Sequence, residues 1–413
     1  MTMMKSSNTE WLGDIPAEWD VAQIGNYYEL RNEKVSDYDF EPLSVTMKGI
    51  VPQLATAAKS DDHSNRKLVK KGDFVINSRS DRRGSCGISP LDGSVSLINI
   101  VMEPRGEMNP QYYNWLFHTE QFADEFYKWG HGIVDDLWTT RWQEMKKILI
   151  VAPSPDEQQA IADYLDKTCS KIDEIIAEAK ASIDEYKELK QSVIFEAVTK
   201  GLDKNVEMKD SGIEWIGEIP VDWVVKKFKY VATVNTNLVS PIGYEDYHQI
   251  APDCIEKDSG RIIKERTVSE AGIESWNQLF KQGQLIYSKI RPILNKVIIA
   301  PYDGLCSADM YPLDVHENIY FVQFAMLSKY FVGQVGLITQ DRVKMPKINQ
   351  DELSNVYVAV PEKTEQKEIV DWLNVQLPKY DSLIAEKESL INELKAYKKS
   401  LIYEVITGKR RVV

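Results

Sequence analysis

A chain of 413 residues with 43% hydrophobic content has room for two or three domains, each with its own core. Its net charge of -13 rules out a body that is basic all over, so contact with a polyanion would have to use local basic patches. No run of 18 apolar residues occurs, and the first residues lead into polar sequence rather than an apolar signal core, which points to a cytoplasmic chain without a membrane span. Cys86, Cys169, Cys254 and Cys306 are scattered without CxxC spacing and read as reduced thiols.

Residues 1–152 mix short apolar stretches with turn clusters and read as a mixed α/β domain. Phe74 to Ile76 and Val95 to Val101 are short and rich in β-branched residues, which predicts strands. Asn109-Pro110 ahead of Tyr112, Tyr113, Trp115, Leu116 and Phe122 predicts a helix with an Asn cap and Pro at its first position. Lys147 to Ala152 reads as a closing strand, ended by Pro153 and Pro155.

The segment 153–205 is helical by periodicity. Ile161, Leu165, Ile172, Ile176, Ala179, Ile183, Tyr186, Val193 and Ala197 recur at steps of three, four or seven residues, and Gly201 supplies a C-cap. Residues 206–360 then retrace the first domain. Gly283 to Ser288 echoes Gly72 to Ser78, and Phe321, Phe324 and Phe331 match Tyr112, Trp115 and Phe122. The final segment, 361–413, is again helical. Thr168 to Ser170 is a weak point in the first helical block, and Pro378 falls at the matching place in the second, so a break or kink is expected there.

The two helical blocks carry one text. Pro153 to Lys200 lies over Pro361 to Gly408 at a constant offset of 208 residues without a gap, and 19 of those 48 positions are identical. Trp11 to Trp19 likewise returns as Trp215 to Trp223. The period is too long for a solenoid repeat of about 20–50 residues. It describes a tandem duplication with pseudo-two-fold symmetry: two globular domains and two long helices, expected to run antiparallel as a coiled-coil spacer. Its seam would set Ile176, Ile183 and Val193 against Ile384, Ile391 and Leu401.

No catalytic constellation emerges. Asn109 to Tyr112 departs from the Asn-Pro-Pro-Tyr of amino-methyltransferases and is a helix start. Pro155-Asp156 with Glu178 and Lys180 imitates a nuclease pattern, but on a heptad-like helix instead of adjacent strands. No Gly-x4-Gly-Lys phosphate loop occurs, and the five histidines lack ligand spacing. Basic residues, by contrast, cluster at related places in the two halves. Arg79, Arg82 and Arg83 follow the Gly72 strand, and Lys289, Arg291 and Lys296 follow the Gly283 strand. Arg141 in the first half answers to Arg342, Lys344 and Lys347 in the second. Such side chains neutralise phosphates or read guanine edges.

This layout resembles the specificity subunit of type I DNA restriction-modification systems. The resemblance rests on Gly-x-Ile-Pro-x-x-Trp at Gly13–Trp19 and Gly217–Trp223, and on Pro-x3-Glu-Gln-x2-Ile-x3-Leu at Pro153–Leu165 and Pro361–Leu373. Lys-x-Ser-x-Ile and Glu-x-x-Thr come next in both helical blocks. It implies target-recognition domains at 1–152 and 206–360, separated by a central helical region at 153–205 and followed by a C-terminal one at 361–413. It implies a non-catalytic reader of a split, asymmetric site on double-stranded DNA, docking two modification (methyltransferase) subunits and restriction subunits. S-adenosylmethionine, ATP and Mg would then belong to those partners, with no cofactor in this chain. The acidic balance supports one alternative, a coiled-coil scaffold whose globular ends bind proteins.

Overall fold

The computed structural model describes residues 3–56, 63–132, 138–342 and 344–412. The chain divides into two units. The first joins Met1–Ala179 to Ser389–Val413, and the second is Lys180–Glu388. Each long helix, Pro155–Lys200 and Lys363–Ile406, therefore contributes to both units.

The units repeat one plan. In the first, Cys86–Ile88, Phe74–Asn77, Asn99–Pro104 and Tyr28–Leu30 form an antiparallel sheet in that order. In the second, Val297–Ile299, Leu285–Ser288, Met310–Val315 and Ala232–Val234 do the same. A closing strand in each half returns to the start of its domain, Leu149–Ala152 on Asp20–Gln23 and Tyr357–Val360 on Val224–Lys227. The second sheets diverge. The first unit carries a hairpin, Leu43–Thr46 with Gly49–Pro52, where the second adds the parallel strand His248–Ile250.

Three expectations change. Val95 to Val101 is two strands, because Ser96 pairs with Arg66 in one sheet and Asn99 with Asn77 in another. The Asn99 side chain holds the turn between them by donating to the Ser96 carbonyl at 3.1 Å. The aromatic helix capped by Asn109 ends at Phe117, and Thr119 caps a second one that carries Phe122. The helices also run unbroken through Thr168 to Ser170 and through Pro378. Proline removes one helical hydrogen bond, at about 3 kcal/mol in a helix interior. Burial of Leu373 and Leu377 in the domain core just before it holds the helix in place.

Within the second unit the helices run antiparallel. Lys187 to Gln191 share one cavity with Asp381 to Glu388, while Ile194, Ala197 and Val198 share a core with Ile369, Val370, Leu373 and Leu377. Lys190 pairs with Asp381 at 2.6 Å, and in the first unit the register-equivalent Lys398 pairs with Asp173 at 2.6 Å. Of the expected seam, Ile176, Ile183, Ile391 and Leu401 are buried, while Val193 and Ile384 are half-buried, Val193 against the domain core.

The repeated motifs meet each other. Trp19 donates through its indole N–H to Glu157 at 3.2 Å, and Trp223 to Glu365 at 3.0 Å. The next residue, Gln158 or Gln366, is buried and closes two backbone groups at once. Its amide donates to the Pro153 or Pro361 carbonyl and its oxygen accepts the N–H of Asn109 or Asn318 at 2.8 Å. Replacing Gln158 or Gln366 with Ala removes the partner of a buried carbonyl and of a part-buried N–H. Urea unfolding should show a loss of about 1–3 kcal/mol for each, and a clearly smaller one for the exposed neighbour in Gln159→Ala.

Candidate nucleic-acid interface

In the first unit, the strand Phe74–Asn77 ends at a side-chain bond that shapes the loop after it: the Asn77 side-chain oxygen accepts the Arg79 N–H at 3.0 Å. A 3-10 turn, Ser80–Arg82, comes next. The chain at 138–140 pairs along it, with Ser80 N–H donating to the Trp138 carbonyl and Thr140 N–H to the Ser78 carbonyl, both at 3.0 Å. This places Arg141 beside the loop that bears Arg79, Arg82 and Arg83. A cleft of about 600 Å³ beside the loop is lined by Thr46, Met47, Leu54, Asn77, Arg82 and Arg83 among others.

The second unit builds the same feature. Arg291 N–H donates to the Pro346 carbonyl at 2.7 Å and Ile348 N–H to the Lys289 carbonyl at 2.9 Å. Lys289, Arg291 and Lys347 are thereby gathered on two paired segments, with the exposed Lys344 just ahead of them. Arg291 has a φ of 44°, in the left-handed region where a non-glycine residue is strained.

The cations differ in how far they are committed. Arg83 pairs with Asp124 and lies 5.9 Å from the Tyr127 ring centroid. Lys296 donates to the Pro252 carbonyl at 2.5 Å, and Lys289 sits 5.1 Å from the centre of the Tyr311 ring. Arg342 pairs with Glu352, and Lys347 with Asp309 at 2.9 Å. Among the described residues Arg82 pairs with its neighbour Asp81, at 3.8 Å between two exposed side chains, a contact worth little in water. Arg141 and Arg291 are exposed and Arg79 half-buried. Composition did not single out Met47, on the hairpin turn, or Ile293, beside Arg291. Both are large apolar side chains left in solvent.

Among the described residues no cluster of three or more His, Cys, Asp or Glu could hold a metal, and all four cysteines are free and buried. Among the described residues no single helix is long and apolar enough to cross a membrane. The bent pair Ile319–Leu327 with Lys329–Thr339 passes by composition, but much of it is domain core.

No family model matches the chain. Among curated proteins it is 29% identical over 377 residues to the specificity subunit of the type I restriction enzyme EcoDI from Escherichia coli, covering 87% of this chain and 81% of that one. It is 25% identical to the MjaVIII specificity subunit from Methanocaldococcus jannaschii, over 96% of this chain and 94% of that one. The fold matches a chain from a study of complex assembly and conformational transition in a type I restriction-modification system. That match has a TM-score of 0.73 at 12% identity and covers 96% of this chain and 99% of the other. Along nearly its whole length the chain is similar to type I specificity subunits.

Arg342 tests which cations are structural. It holds the Glu352 carboxyl below its ordinary value of 4.5, and Glu352 closes the capping box of the helix Gln350–Ser354. Because the folded-state value is depressed, this stabilisation is present above pH 4.5 and is lost as pH falls through the lower folded value. Arg342→Ala should therefore lower the melting temperature at pH 7, and the gap to the parent should close in acid. Arg82→Ala should leave melting unchanged at both pH values.

Proposed function

We propose that the chain is the DNA-reading subunit of a type I restriction-modification complex. In this reading residues 1–152 and 206–360 each read one half of a bipartite site on duplex DNA. The helical regions 153–205 and 361–413 carry the spacing between half-sites, with Ile176, Ile183, Val193, Ile384, Ile391 and Leu401 along the seam. The observation that carries the proposal is duplication with divergence. Both units keep the same Trp–Glu–Gln junction, and both gather cations on paired segments at the same sheet edge, yet the side chains on those segments differ.

The chain supplies recognition and no chemistry of its own. Two modification subunits and the restriction subunits would dock on it, and the cationic loops would meet the phosphates and base edges. Arg82, Arg141, Arg291 and Lys344 are the exposed cations of this set without a short ion pair among the described residues, and Arg79 is half-buried. Arg83, Lys289, Lys296, Arg342 and Lys347 would contribute mainly by shaping the loops.

Domain exchange tests the reading directly. Replacing 1–152 with the matching domain of another specificity subunit should change one half of the methylated motif across the host genome and leave the other half intact. A change in both halves would rule out independent readers. Binding to duplex DNA should also weaken steeply with salt, whereas a scaffold for protein partners would show no such slope on DNA.

The spacing role makes a separate prediction. A heptad inserted after Ala181, matched by one after Ser389, lengthens the helix pair by about 10 Å at 1.5 Å per residue, close to three base pairs. The variant should prefer a longer gap or lose its original site. Undiminished methylation of the original site would mean the helices do not set the gap.

A further inference from the structure

The strands Phe74–Asn77 and Leu285–Ser288 each run into a loop of eight residues, 78–85 and 289–296, before the next strand begins. The two loops share one backbone frame. Asn77 N–H closes the first on the Ser85 carbonyl at 2.9 Å, and Ser288 N–H closes the second on the Lys296 carbonyl at 2.9 Å. The third residue of each, Ser80 or Arg291, donates to the segment from the end of the domain. The second, Arg79 or Ile290, bridges to Thr139 or Lys347. The seventh residue is left-handed in both, Gly84 at φ 74° and Asn295 at φ 45°.

On that common frame no side chain is shared at any of the eight positions. A frame kept by backbone bonds while every side chain changes can present different chemistry at one fixed place. Most positions are spoken for. Arg79 and Ile290 are half-buried at the bridge, Arg83 is held by Asp124, Leu294 is half-buried, Ser85 is buried and Lys296 is tied to Pro252. The fifth position is the open one in both units, with the Arg82 side chain 69% exposed and Ile293 53% exposed.

We propose that this fifth loop position is a base-reading position in each unit. Arg82 would fork onto the O6 and N7 acceptors of a guanine in one half-site, and Ile293 would pack on a thymine methyl in the other. Arginine is the side chain suited to bidentate contact with guanine, and an apolar one to the methyl of thymine. This assignment rests on the DNA-reading function proposed above. It explains how two domains on one frame can read different sequences.

The test maps adenine methylation across the genome of cells carrying the whole system, with the parent chain, Arg82→Gln, Arg82→Lys and Ile293→Ala. Arg82→Gln should relax one guanine position in one half-site by roughly ten- to a hundredfold and leave the other half unchanged. Arg82→Lys should keep part of that preference. Ile293→Ala should weaken selection for thymine at one position of the opposite half-site. The proposal is overturned if Arg82→Gln lowers methylation evenly with the motif unchanged, the signature of a phosphate contact. It is equally overturned if either substitution alters both halves. If the parent chain directs no bipartite motif at all, the DNA-reading function itself fails, a result distinct from an unchanged motif in the variants.

Discussion

Each long helix begins by trapping an indole, and the rest of each unit is arranged around that contact. Trp19 and Trp223 are among the largest fully buried side chains, and a buried indole N–H needs an acceptor. Glu157 and Glu365 provide it from the first turn of the helix. Burial holds the Glu365 carboxyl above its ordinary value, and the bond from Trp223 acts against that rise. With Gln158 or Gln366 clamping two backbone groups next door, helix start, closing strand and aromatic helix are fixed to one another. The glycine past each helix end completes the junction. A side chain at Gly201 would crowd Glu365 and Trp223, and one at Gly408 would strike Pro16 and crowd Trp19.

The same junction is thus made in two ways. In the second unit the chain runs through it, from the central helix past Gly201 into the domain that holds Trp223. In the first unit the end of the C-terminal helix reaches the corresponding place without a covalent link. Tyr403 donates to the Trp11 carbonyl at 2.8 Å, Lys409 to the Leu12 carbonyl at 2.8 Å, and Arg411 pairs with Glu18 and Glu157. That requirement explains why the helical blocks kept their register. Asp173 and Lys190 are repeated as Asp381 and Lys398 because each unit needs one acid and one base from opposite helices. An insertion in one block alone would misplace both pairs.

Much of this was legible in the sequence because it repeats. Periodicity located both helices, Asn109 and Gly201 marked true caps, and the paired motifs announced the duplication. What stayed hidden depended on partners far along the chain. Val95 to Val101 looks like one strand because each residue suits a strand, and only the partners Arg66 and Asn77 assign its ends to different sheets. Pro378 looks like a break because local cost is visible in sequence and the tertiary packing of Leu373 and Leu377 is not. Arg83 and Arg342 look like free cations, since nothing local places Asp124 or Glu352 against them.

The acidic balance also changes meaning once the pairs are visible. Many cations are matched by carboxylates within their own unit, as with Arg31 between Asp73 and Glu103, and Arg266 with Asp253. Arg82, Arg141, Arg291 and Lys344 instead stand exposed on or beside the paired loops, the first with a long contact to its neighbour Asp81. In the proposed reader, a polyanion approaching an acidic body would be repelled over much of the surface and accepted at those loops. Non-specific affinity, which comes from the sum of phosphate contacts, would be held down by the same arrangement. Discrimination would then fall to a few side chains on hydrogen-bonded backbone frames, which is the physical condition for a reader whose specificity can change by substitution in a loop while its fold stays fixed.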